Sequence, residues 1–214
     1  MSSVLIVTAH LDDFEIGMGG TAAKLCLHHD VHLVVLCKGD RPGHEHVSNT
    51  RKQSCVKNCM QIGLNKKHFY DYSDTKLDQI PQTELCNLIH EHIDIIKPVE
   101  LYTNHGEDIH ADHRIVSKVC RVAARPRASC SIKRMYEFSI PGSTEWSNTG
   151  NIFNTYVNVT DQHHTKVKMI SRYESEIRES PDPISIEMIQ HRDSYIGSLC
   201  GYRKAEAFKL IYSR

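Results

Sequence analysis

Short apolar runs bounded by turn signals alternate along the chain with longer stretches of helical period. This is the pattern of consecutive β-α units feeding a largely parallel sheet. Strands are predicted at about 3 to 9, 31 to 37, 68 to 72 and 99 to 104. Helices fill the gaps: a first that starts near the glycines and carries Ala22, Ala23, Leu25, Cys26 and Leu27, a second over roughly 48 to 62, a third from about 81 to 96 that stops before Pro98, and a fourth that opens at His110. After the fourth helix the rhythm changes. Ile132 to Ile140 and Thr155 to Val159 read as strands joined by an ordered loop through Trp146. Asp161 to Arg178 and Ile184 to Leu199 read as helices split by the breaker Ser180-Pro-Asp-Pro183, and a last short strand falls around Phe208 to Tyr212. The expected class is α/β, a Rossmann-like, mostly parallel sheet sandwiched by helices. Residues 1–214 are read as one domain, with sheet and site over about 1–130 and a small cap with C-terminal helices over about 131–214. A chain of this length holds one substantial core.

The candidate chemistry sits where the first and fourth strands should end. The buried run Val4 to Ala9 delivers His10, Asp12 and Asp13, and His110-Ala-Asp-His113 opens a helix after the run Val99 to Asn104. Ligands of open α/β sheets collect beyond the carboxyl ends of the strands, so a parallel sheet lets the two clusters converge. Together they offer the nitrogen and oxygen donors that a catalytic zinc takes, three protein groups with one position left for water. His10, Asp13 and His113 are assigned as ligands, because His10 and Asp13 are three apart on one turn and His113 reaches in from the opposing loop. Asp12, next to a ligand but pointing elsewhere, is the expected general base toward the attacking water. His110, one helical turn from His113, is expected as an imidazolium that neutralises the oxyanion and protonates the departing nitrogen. Asp112 is expected to hold one of the two histidines in its tautomer. Either cluster alone favours a helix N-cap or a surface histidine; their pairing at one sheet edge points to a site.

Gly17, Gly19 and Gly20 open a different inference, a turn that cradles a pyrophosphate with Asp40 placed for a ribose. The spacing is G-x-G-G, and carboxylates in the same loop repel a phosphate. The glycines are therefore read as close packing, with a nucleotide-binding module kept as the alternative from another class. Lysine plus arginine equal aspartate plus glutamate at 26 each, so no global field draws the chain to nucleic acid or an anionic membrane, and neither partner is expected. The eight cysteines are scattered without a C-x-x-C pair and read as reduced thiols of a cytoplasmic protein. Cys55 and Cys59 share a helix face and read as core. The N-terminus runs straight into a strand and no apolar run reaches membrane-spanning length, so neither export nor insertion is expected. Most of the 15 histidines lie in polar surroundings and read as solvated.

The stretch His10-Leu-Asp-Asp-Phe-Glu-Ile-Gly-Met-Gly-Gly-Thr21 together with His110-Ala-Asp-His113 resembles the two signatures of the LmbE-like, or PIG-L, zinc-dependent N-deacetylases. The similarity extends through Thr50-Arg51, Asp74, Tyr156-Val-Asn-Val-Thr-Asp161, Lys166, Arg172-Tyr-Glu-Ser-Glu176 and Gly201-Tyr-Arg-Lys-Ala-Glu-Ala-Phe208. Leu11 and Ala111 depart from it, standing where the family usually has proline, and Phe14 stands where a carboxylate is common. The resemblance implies the roles already given to His10, Asp12, Asp13, His110 and His113. It adds Arg51 and Asp74 as contacts to sugar hydroxyls or an anionic aglycone, although Arg51 alone reads equally as an exposed helix-start residue. It implies Zn2+, with Fe2+ or another divalent cation as alternatives, and a small-molecule N-acetylated sugar of N-acetylglucosamine type cleaved to free amine and acetate. The runner-up is the same scaffold acting on another amide or an ester. Trimers or hexamers in some members carry an expectation of a homo-oligomer. Specificity is expected in the loops at about 41 to 50 and 141 to 152, where Trp146 is placed either to stack on a sugar face or to be buried in the cap.

Overall fold

The computed structural model describes residues 1–40, 43, 45–147 and 153–214. Five strands, β1 (Ser3–Thr8), β2 (Asp30–Cys37), β3 (Lys66–Tyr72), β4 (Glu100–Asn104) and β5 (Arg134–Phe138), run parallel. Two more, β6 (Thr155–Asn158) and β7 (Ala205–Ser213), continue the same sheet, with β7 antiparallel to both of its neighbours. The order is β3-β2-β1-β4-β5-β7-β6. Part of the expected cap is therefore sheet.

Alternation along β1 divides the core in two. Val4 and Ile6 pack on the face covered by α1 (Asp13–Cys26), α2 (Ser48–Gln61) and α5 (His163–Ile170). Leu5 and Val7 pack on the face covered by α3 (Gln82–Ile96) and α4 (Ala111–Ala123). A strand buried on both faces needs an unbroken apolar run, and Val4 to Val7 are fully buried. The final helix, α6 (Ile186–Cys200), packs against β7. Strand order reverses between β1 and β4, so the connections leaving their carboxyl ends run to opposite faces of the sheet and open the crevice where such sheets bind ligands.

Three expectations change. Helix α1 begins at Asp13, ahead of the glycines, and breaks at Met18 (φ −148°, ψ 23°). The glycines lie inside it as points of close approach: a Cβ at Gly17 would stand 2.2 Å from Phe138, one at Gly20 2.8 Å from Val159, and one at Gly19 3.1 Å from Lys166. Around the break, the amides of Gly20 and Thr21 donate to the two carboxylate oxygens of Glu206, at 2.9 and 2.7 Å. These are the donors a pyrophosphate would require, and a buried glutamate fills them. Asp40 is likewise engaged, accepting from Asp74 N at 2.9 Å and Ser73 Oγ at 3.0 Å. The nucleotide-binding alternative falls on both counts.

Glu206 is one corner of a buried charge cluster. Lys166 Nζ lies 2.9 Å from Glu206 Oε1 and 2.8 Å from Asp193 Oδ2, with His163 Nε2 3.3 Å from the same aspartate oxygen. Helix α5 also ends early, at Ile170 instead of near Arg178. Tyr173 is drawn under α1, where its hydroxyl lies 2.7 Å from both Leu11 O and Glu15 Oε1, and the chain leaves the helix to reach that position. Cys55 and Cys59 are fully buried in the core. Among the described residues, no helix is long and apolar enough to cross a membrane.

Candidate metal centre

The β1 end is held by its own side chains. Asp13 Oδ2 accepts from His10 N at 2.8 Å, closing a turn over Leu11 and Asp12. Asn104, at the end of β4, accepts from Ala9 N and donates to Asp13 Oδ2, both at 3.0 Å. The two strand ends are thereby joined through one amide.

Within this frame His10 Nδ1 lies 3.2 Å from His113 Nε2 and 3.6 Å from Asp13 Oδ2, and His113 Nε2 lies 3.3 Å from Asp13 Oδ1. Zinc bonds of about 2.0–2.1 Å in a tetrahedron put ligand atoms roughly 3.4 Å apart, so the three groups fit one such ion. The outer nitrogens reinforce the fit. His10 Nε2 faces Asp112 Oδ2 at 3.2 Å and His113 Nδ1 faces Asp108 Oδ2 at 3.3 Å, so that each ring would offer its other nitrogen as an inward lone pair to a cation that displaces its proton.

Charge points the same way. Asp12, Asp13, Asp74, Asp108 and Asp112 are all buried here, and Arg51 is the buried arginine among them. Burial acts to lower the histidine pKa values, but the neighbouring carboxylates together outweigh it, Asp13 with Asp112 holding His10 well above its ordinary value and Asp13 with Asp108 holding His113 at about 9. Burial would raise Asp13, yet His113 and His10 hold it well below the usual carboxylate range. Burial likewise opposes His113, Ser143 and Thr144 at Asp108, which ends at about 2. Groups that raise the His10 and His113 imidazoles and depress the Asp13 and Asp108 carboxylates together recruit positive charge to this point.

His110 departs from its expected state. Its Nδ1 accepts from Asp112 N at 3.2 Å as the N-cap of α4, and its ring stacks on His113 at a centroid distance of 4.6 Å. Burial, followed by the charges of His10 and His113, lowers it to about 4. An imidazole whose Nδ1 accepts an amide proton at a helix N-terminus is neutral and carries its hydrogen on Nε2. The expected imidazolium is thus corrected to a neutral donor. His10, His110 and His113 also form a set whose donor atoms lie within 4.8 Å of one another, as do His10, Cys37 and Asp74.

Arg51 is buried, not exposed. Its Nη2 donates to Asp12 Oδ1 at 3.1 Å, its Nη1 lies 3.3 Å from Asp74 Oδ2, and its Nε lies 3.6 Å from Glu176. Asp74 also accepts from Gly39 N at 2.9 Å. Burial raises the Asp12 pKa, Arg51 opposes it, and the balance stays above the ordinary value. Asp112 additionally accepts from Thr75 N at 2.7 Å and Leu77 N at 3.2 Å, holding Thr75 at a positive φ of 63°.

His10, Asp12, Asp13, Arg51, Asp74, Thr75, His110 and His113 line a cavity of about 480 Å³, closed on its far side by Ile140 to Ser143, Trp146, Glu176 and Pro183. Of the loops expected to set specificity, residues 41, 42, 44 and 148–152 lie outside the described residues. Sequence reasoning missed Asn104, Asp108, Tyr173 and Glu176. Asp108 alone carried a local signal, an acid two residues ahead of the His110 cluster.

The family model described as GlcNAc-PI de-N-acetylase (PIG-L) matches residues 5–124. Among solved structures, the N,N'-diacetylchitobiose deacetylase of Pyrococcus horikoshii aligns at TM-score 0.78 and 20% identity over 98% of this chain and 84% of that one. The conserved protein TT1542 of Thermus thermophilus aligns at 0.80 and 19%, over 97% and 94%. GalB, the 4-carboxy-2-hydroxymuconate hydratase of Pseudomonas putida KT2440, aligns at 0.78 and 17%, over 100% and 98%. At these identities the likenesses establish the fold, and the fold carries more than one chemistry. The family match spans more than half of the sequence, including both clusters that meet at the centre, and the chain belongs to the PIG-L family.

Proposed function

We propose that the chain is a metal-dependent hydrolase that removes the N-acetyl group from an N-acetylglucosamine-type amino sugar or sugar conjugate. The observation that carries this reading is the convergence of His10 Nδ1, His113 Nε2 and the Asp13 carboxylate within 3.6 Å, at the floor of a cavity that Asp12 and His110 also line. The GlcNAc-PI de-N-acetylase description of the family supports it, as does the Pyrococcus neighbour, a deacetylase of N,N'-diacetylchitobiose. The mixed nitrogen and oxygen donors suit Zn2+ best, with Fe2+ next. Such a cation supplies Lewis acidity, polarising an amide carbonyl and acidifying a water.

The chain's residues supply the rest. Arg51 holds Oδ1 of Asp12, so the other oxygen takes the proton of the attacking water. His110 presents its Nε2–H to the oxygen that gains charge. The water oxygen joins the acetyl carbon, the C–N bond breaks, and the proton held by Asp12 passes to the departing nitrogen. Arg51 and Asp74, which the resemblance assigns to substrate, serve here chiefly to fix Asp12. Asp112 and Asp108 orient His10 and His113. Residues 1–214 act as one unit in this reading, because Tyr173 and Glu176 complete a site that begins at β1. The eight unpaired cysteines support a reducing, cytoplasmic setting.

Replacing Asp12 by Asn tests the assignment. Acetate release from N-acetylated sugars should fall by about 10²- to 10⁴-fold while bound metal stays near one per chain. Near-full activity in Asp12→Asn would remove Asp12 as the base. A panel containing esters and other amides separates the runner-up.

A further inference from the structure

A second cavity, about 710 Å³, runs along α4 and shares no lining residue with the site cavity. Arg114, Lys118 and Arg121 line it from one face of the helix, at spacings of four and three, and Arg125 continues the row just past the helix end. Helix polarity does not account for the row. A cation is favoured at the carboxyl end, where Arg121 stands, but Arg114 is the fourth residue of α4, at the end that favours anions. Carboxylates do not account for it either: Arg121 Nε meets Glu137 Oε1 at 2.7 Å, whereas among the described residues Arg114, Lys118 and Arg125 form no ion pair.

Two of the guanidinium groups are held in place. Arg114 Nη1 donates to the carbonyls of Asp108 and Ile109, both at 2.6 Å, and Arg121 is fixed through its Nε by Glu137. Each fork has further N–H groups beyond these bonds. Gly106 lines the cavity beside Arg121, and a Cβ there would stand 3.2 Å from Arg121 Nη2, so the missing side chain leaves room at that nitrogen. Lys118 and Arg125 add exposed charge on the same side. Glu107 also lines the cavity, so four cations stand against Glu107 and Glu137 and two positive charges are left over.

That surplus matches one phosphate monoester, which carries a charge of about −1.5 to −2 at neutral pH. Preset guanidinium forks suit pairs of phosphate oxygens, and little ordering is needed when the anion arrives. Ile115 and Val122, partly buried against the core, line the same cavity and offer an aliphatic wall to the organic part of such an ester. We propose that this cavity is a binding site for a small organic phosphate monoester, separate from the metal centre. The inference does not rest on the deacetylase reading, and its test needs no acetate release.

Phenyl phosphate, titrated calorimetrically into the metal-loaded chain at low salt, tests the site. It should bind saturably, more weakly as sodium chloride is raised, while phenol should not bind. The chelated chain should bind it as well as the loaded one. Lys118→Gln with Arg125→Gln should weaken binding by about 3- to 10-fold, and Lys118→Glu with Arg125→Glu by about 10-fold or more. Both positions are exposed, so circular dichroism should be unchanged in either double variant. Phosphatidic acid carries the same headgroup chemistry, and sedimentation with phosphatidylcholine vesicles that contain it separates the sources: capture competed by phenyl phosphate upholds the site, and capture that phenyl phosphate does not compete overturns it. No binding of phenyl phosphate, or the same affinity in both double variants, overturns the proposal. Binding that vanishes on chelation also overturns it, by placing the anion on the metal.

Discussion

Lys166→Met removes the ammonium from the buried cluster that ties α1, α5, α6 and β7 together. Lys166 and Asp193 are wholly buried and Glu206 nearly so, with Nζ 2.8 and 2.9 Å from the two carboxylates. Methionine matches the stem in volume, so packing is retained while two carboxylates lose their main counter-charge. Breaking a buried pair in this way costs about 3–5 kcal/mol. Against a total of about 5–15 kcal/mol for a folded protein, that is a large share. Urea unfolding followed by circular dichroism should show the midpoint lowered by about 1–2 M. The pH dependence carries a second signature. In the native chain burial would raise Asp193, but Lys166 holds it below its ordinary value, so its stabilising contribution is present above the unfolded carboxylate pKa and is lost as pH falls through the lower folded one. Without Lys166 the carboxylates are raised instead, and one takes up a proton as pH falls. The deficit should therefore narrow between pH 8 and pH 5, and Asp193→Asn added to Lys166→Met should recover part of it. A midpoint loss under about 0.3 M, or a deficit that widens at pH 5, would refute the electrostatic reasoning.

Gly17→Ala should lower the melting temperature by about 3–10 °C, because the added methyl lies 2.2 Å from a fully buried Phe138 ring, and Phe138→Leu in the same chain should restore part of the loss. An unchanged melting temperature would mean the α1–β5 contact is looser than its geometry. Asp108→Asn should weaken divalent-metal binding by about 10- to 100-fold in calorimetric titration while the fold stays intact, since it alters the carboxylate facing His113 Nδ1. Wild-type affinity in that variant would show that His113 needs no such support.

The order of elements and the meeting of the two side-chain clusters at one sheet edge were legible because each rests on local pattern. β1 is an unbroken apolar run followed at once by His10, Asp12 and Asp13, and His110 and His113 are one turn apart on α4. What the pattern could not carry is what distant segments impose. The helical period of α5 continues past Ile170, but Tyr173 leaves it for hydrogen bonds beneath α1. β7 inserts between β5 and β6 in the antiparallel sense, a pairing no local signal encodes. Arg51 reads from sequence equally as a substrate contact or a surface arginine, because its three carboxylate partners come from the β1 end, the β3 end and the segment after α5. The state of His110 was misjudged because its nearest hydrogen-bond partner is a backbone amide, which the side-chain pattern does not reveal.

Acetate release from N,N'-diacetylchitobiose and other N-acetylated sugars, measured on the metal-loaded chain, after chelation and after reloading with Zn2+, tests the centre most directly. Release should be lost on chelation, return with about one ion per chain, and be absent from His113→Ala under every condition. Undiminished release from the chelated chain, or full activity in His113→Ala, would contradict a hydrolytic ion held by His10, Asp13 and His113.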